Sequence, residues 1–223
     1  MKMIEYPDRD FLFMRAADMM ASELRAALGH EERVSFGVPG GTTPGPIFDT
    51  LAGVALDWDR VDILPSDERW VPESSDRSNA RLIRRRLLTG HAAAARFHPL
   101  WRDTPQPEDV LDELTEMVTP HLPFNLLWLG MGADMHTASI FPDSDRLAEA
   151  LAPDAPLLMP MRRPGEEEIR LTITLPYLTS AMSLHLLLLG EDKKEALMRA
   201  RDLEPAQAPV AGVLANATIH YAD

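Results

Sequence analysis

This 223-residue sequence has no cysteine, which excludes disulfides, thiolate metal centres and cysteine nucleophiles. It is short of cations: 22 Lys and Arg against 35 Asp and Glu leave a formal net charge of −13. Nucleic-acid binding rests on Lys and Arg meeting phosphates, so a nucleic-acid partner is not expected. No apolar run approaches the ~20 residues of a membrane helix, and no membrane partner is expected either. The longest such run, Leu184 to Leu189, is strand-sized and contains His185. The opening Met1-Lys2-Met3-Ile4-Glu5-Tyr6-Pro7-Asp8 lacks the apolar core of a signal peptide, and a cytoplasmic protein is the simplest expectation. Internal repeats and low-complexity segments are missing as well. In so acidic a chain, any anionic ligand has to be met by a few cations gathered locally.

What is present suffices for a core. Hydrophobic residues make up 45% of the chain, and its length fits one domain over residues 1–223. The 19 prolines are scattered over element boundaries. The stretch Leu151 to Pro164 is the most loop-like, with room for a short strand at Leu157-Leu158-Met159. Helices are expected over Asp10–Leu28 with Gly29 as C-cap, Thr43–Leu51 with Pro44 at its first position, Ser78–Leu88 capped by Ser78, and Glu108–Leu122. Two more are expected over Pro176–Ala181 and Asp192–Arg201. Strands are expected at Val34–Val38, Val61–Leu64, Phe124–Leu129, Ile169–Leu175, Leu184–Leu189 and Ala217–Tyr221. Strands separated by helices imply an α/β fold with a mainly parallel sheet and helices on both faces. In such a sheet, ligands bind outside the carboxyl ends of the strands.

Four segments carry the chemistry. After the strand ending at Leu129 comes Gly130-Met131-Gly132-Ala133-Asp134-Met135-His136-Thr137-Ala138-Ser139-Ile140-Phe141-Pro142. An imidazole suits general-base work near neutral pH, and Asp134 stands where it can orient His136. The same two residues also serve as ordinary caps of a turn. Gly130 and Gly132 begin a dinucleotide fingerprint, but Met135 occupies the place of its third glycine, so a dinucleotide site is not expected.

Earlier, Val38-Pro39-Gly40-Gly41-Thr42-Thr43-Pro44 runs from a strand into a helix. Gly40 and Gly41 permit close backbone approach, the helix terminus favours an anion, and Thr42 and Thr43 can cap the helix or donate to phosphate. An ordinary strand-to-helix turn accounts for these residues equally well. No Gly-Lys-Ser/Thr follows, so this is not a P-loop.

The third segment, Leu64-Pro65-Ser66-Asp67-Glu68-Arg69-Trp70-Val71-Pro72, is followed by Ser78-Asn79. Asp-Glu-Arg alone reads most simply as a solvated loop; Trp70 and Pro72 would anchor it. Last come Arg170, opening a strand, and Lys193, in the first turn of a helix, where a cation runs against the dipole. Each singly reads as a surface charge. Arg84-Arg85-Arg86 reads as a solvated helix face.

In this order the segments resemble the 6-phosphogluconolactonases. The matching pieces are Gly-Gly-Thr-Thr-Pro (40–44), Asp-Glu-Arg-Trp-Val-Pro (67–72), residues 130–142, Arg-Leu-Thr-Ile-Thr-Leu-Pro (170–176) and Leu-Leu-Gly-Glu-Asp-Lys (188–193). One residue departs: the family usually has Gly where this chain has Met135. The resemblance implies a Rossmann-like fold shared with glucosamine-6-phosphate deaminases and ribose-5-phosphate isomerases. It implies hydrolysis of 6-phospho-D-glucono-1,5-lactone, a small-molecule sugar-phosphate lactone, with no metal or organic cofactor. His136 would be the base, oriented by Asp134, with Arg69 or loop N–H groups facing the oxyanion and Asp67 touching sugar hydroxyls or setting charge. Gly40, Gly41, Thr42, Thr43, Arg170 and Lys193 would hold the phosphate. A monomer or small homo-oligomer is expected. An amino-sugar-phosphate deaminase or isomerase and a non-catalytic sugar-phosphate sensor are the alternatives. Thr137-Ala138-Ser139-Ile140-Phe141-Pro142 favours the lactonase branch, since the deaminases continue differently.

Overall fold

The structure is a computed structural model and describes residues 2–223. Its strands are β1 (Lys2–Glu5), β2 (Val34–Val38), β3 (Val61–Pro65), β4 (Asp67–Arg69), β5 (Arg96–Phe97), β6 (Leu126–Gly130), β7 (Leu158–Met161), β8 (Arg170–Ile173), β9 (Leu184–Leu189) and β10 (Ala217–Ala222). Its α-helices are α1 (Arg9–Leu28), α2 (Gly45–Ala52), α3 (Asn79–Arg86), α4 (Leu111–Val118), α5 (Leu147–Leu151), α6 (Leu175–Thr179), α7 (Glu191–Ala200) and α8 (Ala211–Leu214).

Seven strands form one sheet in the order β1-β10-β9-β6-β2-β3-β5, every pair parallel. The apolar runs of β2 and β9 are buried on both faces, as crossover helices require. One face packs Leu12, Met20 and Leu24 of α1 and Ile47, Phe48 and Leu51 of α2 around Phe36, Ile63 and Trp128. The other packs Leu114 and Val118 of α4, Leu197 of α7 and Val213 of α8 against Leu127, Leu186 and Ile219. From the adjacent β2 and β6 the chain winds outward in opposite directions, and the crevice this leaves at their carboxyl ends is where open α/β sheets bind ligands.

A second, antiparallel sheet, β4-β8-β7, stands outside the expected pattern. β4 is made of Asp67, Glu68 and Arg69, so the segment that reads as a charged loop is a strand. Both carboxylates are buried, because Glu68 accepts backbone N–H groups of Arg69, Asn79 and Ala80 and so caps α3 from outside.

Other differences are local. Helix α2 starts at Gly45 rather than Thr43, with Pro44 as N-cap and no side-chain cap from either threonine. The helix expected over 108–122 is α4 flanked by two 3-10 turns, Pro107–Val110 and Thr119–His121, because Val110 leaves helical geometry and Pro120 tightens the end. β8 stops at Ile173, since Thr174 becomes the N-cap of α6 with Pro176 in its first turn. Gly29 ends α1 in right-handed geometry, not the left-handed form usual for a glycine cap. The short strand in the 151–164 stretch is Leu158–Met161, slightly later than expected.

Candidate active site

A pocket of about 370 Å³ opens at the carboxyl ends of β2, β3, β6 and β9. Gly40, Gly41, Thr42, Thr43, Asp67, Arg69, His136, Arg170 and Lys193 all line it. Asp134 does not; it sits behind His136.

The His136–Asp134 pair is built by a strained turn. His136 Nδ1 lies 2.5 Å from Asp134 Oδ1, and the His136 backbone N–H donates to the same oxygen at 3.3 Å. The other ring nitrogen, Nε2, has no hydrogen-bond partner among the described residues. Gly132 N–H donates to the His136 carbonyl at 3.1 Å and Met135 N–H to the Gly132 carbonyl at 3.0 Å, closing the turn. A Cβ on Gly132 would overlap the His136 ring and the Asp134 carboxylate, so only glycine fits there. Met135 has φ +65° and Ala138 φ +48°, left-handed conformations that strain a residue with a side chain. Met135 thus keeps the geometry that suits glycine, and His136 stays on the pocket wall. The Met135 side chain offsets part of this strain by packing against the core.

Behind the pair, Phe141 lies against the His136 ring with centroids 4.2 Å apart. The guanidinium of Arg163 covers Phe141 at 4.4 Å and approaches Asp134 Oδ2 at 3.6 Å. Burial opposes ionisation of Asp134. The hydrogen bond and charge of His136, helped by Arg163, outweigh it and hold the carboxyl down at about 2.

Two arginines line the same pocket, and the guanidinium of one, Arg170, lies over the Phe141 ring at 4.9 Å. Arg69 in β4 and Arg170 in β8 are paired in register, two guanidinium groups on adjacent strands. Arg69 Nη1 donates to the Arg77 carbonyl at 2.7 Å, and Arg170 Nη2 lies 3.3 Å from Glu168 Oε1. The Nε of each is buried without a partner. Burial, and then the charge of Arg69, push the Arg170 pKa below its ordinary value. Lys193 stands at the third position of α7 and pairs with no carboxylate among the described residues, whereas its neighbour Lys194 reaches Glu5 at 3.1 Å.

The Gly40–Thr43 loop lines the pocket as well. None of its four backbone N–H groups, and neither threonine hydroxyl, has an acceptor among the described residues. The helix behind adds less than its sequence promises: Pro44 and Pro46 have no N–H, and Gly45 N–H turns back to the Thr42 carbonyl. The loop amides, more than the helix terminus, are thus the unsatisfied donors here.

Asp67 is 7% exposed and held from three sides. The Ser139 hydroxyl donates to Oδ2 at 2.5 Å, the Ser66 hydroxyl to Oδ1 at 3.2 Å, and the Asn79 amide to its backbone carbonyl at 2.8 Å. A Cβ on Gly40 would overlap the Asn79 amide, so the first glycine of the loop makes room for this contact. The roles of Ser66, Ser139 and Arg163 are not apparent in the sequence. Ser139 belongs to the recognised motif, but nothing local says that it reaches Asp67. Trp70 does anchor its loop, donating from Nε1 to the Thr104 carbonyl at 2.9 Å.

Residues 7–221 match the family model described as glucosamine-6-phosphate isomerases/6-phosphogluconolactonase. The chain belongs to this family. Among curated relatives, it is 37% identical to a 6-phosphogluconolactonase of Caulobacter vibrioides over 216 residues, covering 96% of this chain and 92% of that one. It is 40% identical to a 6-phosphogluconolactonase of Mesorhizobium japonicum over 194 residues, covering 86% and 81%. The crystal structure of a 6-phosphogluconolactonase from Shewanella baltica superposes with a TM-score of 0.95 at 30% identity, covering 100% of this chain and 97% of that one. Within the glucosamine-6-phosphate isomerase/6-phosphogluconolactonase family the sheet and crevice described above are thus the common frame, and no helix among the described residues is long and apolar enough to cross a membrane.

Proposed function

We propose that this chain hydrolyses 6-phospho-D-glucono-1,5-lactone to 6-phospho-D-gluconate, the lactone-opening step of the oxidative pentose phosphate pathway. The observation that carries the reading is His136, buttressed by Asp134, in one pocket with Arg69 and Arg170, whose buried Nε groups have no partner among the described residues. The kinship with 6-phosphogluconolactonases supports the same substrate.

His136, its Nδ1–H held by the ionised Asp134, takes a proton at Nε2 from a water that attacks the lactone carbonyl. The oxyanion of the tetrahedral intermediate is met by Arg69 or by loop N–H groups. When the intermediate collapses, the ring oxygen leaves and His136 returns the proton to it; the carboxylic acid product then ionises to water. The Gly40–Thr43 amides, Arg170 and Lys193 hold the phosphate, and Asp67 accepts from sugar hydroxyls. No step calls for a metal or cofactor. We read residues 1–223 as one domain, because β1 and β10 from opposite ends of the sequence are neighbours in the sheet.

The test is a coupled assay on freshly made lactone, corrected for spontaneous hydrolysis, with His136→Ala beside the unaltered protein. Turnover by the unaltered protein with a loss of roughly 10²–10⁴-fold in the variant is expected of a positioned base. Equal turnover by both would overturn the assignment of His136; ammonia release from glucosamine 6-phosphate would favour the deaminase branch, and tight binding without turnover a sensor.

A further inference from the structure

At the amino end of the main sheet, away from the pocket, Asp62, His98 and His121 converge. Asp62 is the second residue of β3, His98 directly follows β5, and His121 closes the 3-10 turn after α4. One donor atom from each lies within 4.8 Å of the other two. His98 Nε2 is 2.9 Å from Asp62 Oδ1, His121 Nδ1 is 3.9 Å from Asp62 Oδ2, and the imidazole centroids are 4.3 Å apart. A cavity of about 350 Å³ opens beside them, lined also by Arg33 and Asn125.

The two imidazoles are not needed to balance the buried charge at this spot. The buried carboxylate of Asp62 already has an ion-pair partner, since Arg33 Nε donates to its Oδ2 at 2.8 Å. Both histidine side chains remain partly exposed, at 21% for His98 and 17% for His121, so solvent or a further ligand reaches the cluster.

We propose that Asp62, His98 and His121 form a binding site for a divalent transition-metal ion such as zinc, separate from the lactonase pocket. Two imidazoles and one carboxylate suit zinc, cobalt, nickel or ferrous iron, and are a poor set for calcium or magnesium, which take mostly oxygen. Arg33 fixes one carboxylate oxygen and so presents the other to the ion, the outer support that metal-ligating carboxylates commonly have. Its charge also opposes that of the ion, so micromolar affinity is expected rather than the tighter hold of a closed structural centre.

Donors of a tetrahedral centre lie ~3.3 Å apart, so His121 must swing inward on binding. It can do so because it ends a 3-10 turn and belongs to no strand. The bound ion would tie β3, the two-residue edge strand β5 and the segment before β6 together.

The experiment uses the full chain free of any polyhistidine tag. Cobalt(II) is titrated by visible absorption and zinc(II) by thermal unfolding. One equivalent of cobalt with the strong bands of a four- or five-coordinate centre, displaced by zinc, and a zinc-dependent rise in Tm are expected. His98→Ala and His121→Ala should each weaken binding by at least ~10-fold, with His98→Gln and His121→Gln as replacements if either alanine variant folds poorly. His136→Ala should bind as the unaltered protein does, which separates this site from the catalytic imidazole. No response in the unaltered protein, an equal response in the double variant His98→Ala/His121→Ala, or loss of the response in His136→Ala would each overturn the proposal.

Discussion

Arg69 and Arg170 face each other in register across β4 and β8, and each keeps a buried Nε without a partner. Like charges directly opposite on adjacent strands repel, and unsatisfied buried donors cost more. The two arginines therefore carry a local penalty that an anion relieves.

A phosphate-bearing ligand should accordingly raise Tm, and unphosphorylated gluconate should not. Arg170→Met should raise KM by roughly 10–100-fold, the loss of one charged hydrogen bond, while leaving the Tm of the ligand-free protein unchanged or higher. Thermal scans with inorganic phosphate, 6-phosphogluconate and gluconate check the Tm values, and the coupled lactonase assay checks KM. A lowered Tm of ligand-free Arg170→Met would contradict the argument.

The Asp134 carboxyl is held down at about 2, below the ~3.9 of an unfolded chain. A depressed acid contributes stability above its unfolded value and loses that contribution as pH falls through about 2. Asp134 should therefore remain ionised across the acid limb of the activity profile, and any fall in kcat between about pH 7 and pH 5 must have another source. Asp134→Asn should lower kcat at every pH in that range. A pH–rate series on both proteins reads this directly.

Met135 sits at φ +65°, and the left-handed region costs an L-residue on the order of 1–2 kcal/mol. Met135→Gly removes the strain but frees the unfolded chain by about 0.4–1 kcal/mol and gives up the side-chain packing, so kcat should stay within about twofold of the original. Met135→Ile should do worse on both counts, because a β-branched residue is least tolerant of positive φ. Its Tm and kcat should both fall; unchanged values would show that the turn relaxes to another conformation.

Glu68 is fully buried in the hydrogen bonds that cap α3, and burial lifts its pKa to about 7 against the pull of the backbone N–H groups of Asn79, Ala80 and Arg69. A raised acid favours the folded state fully below its unfolded value, and that advantage is lost as pH rises towards about 7. Denaturant unfolding from about pH 4.5 to pH 7 should show a decline on the order of 3 kcal/mol from this group. In Glu68→Gln the decline should vanish, together with roughly 1–3 kcal/mol at all pH values, since an amide nitrogen then meets an N–H. A variant with the original slope would show that Glu68 titrates normally.

The buried strands were legible because they are apolar on both faces: the sequence places β2 at Val34–Val38 and β9 at Leu184–Leu189, and both stand there. β4 was not, because Asp67, Glu68 and Arg69 have no strand pattern of their own. They become a strand by pairing with β8 and by satisfying the end of a helix that lies later in the chain. The glycines and charged residues named from the sequence gather around one pocket since each sits next to a strand end, which is a local property. That Ser139 reaches Asp67, or that Arg163 reaches over Phe141 to Asp134, depends on contacts between segments far apart in sequence. No periodicity or cap reports such contacts.

The sheet order has a consequence for biosynthesis. β10, the last strand, lies between β1 and β9 and is the bridge through which the first strand joins the sheet. On the ribosome, β1 has no partner until β10 has emerged, and Tyr6 cannot find the Tyr221 carbonyl before then. The nascent chain must carry β1 unpaired across every element between it and β10. Loss of β10 would take β1 out of the sheet as well.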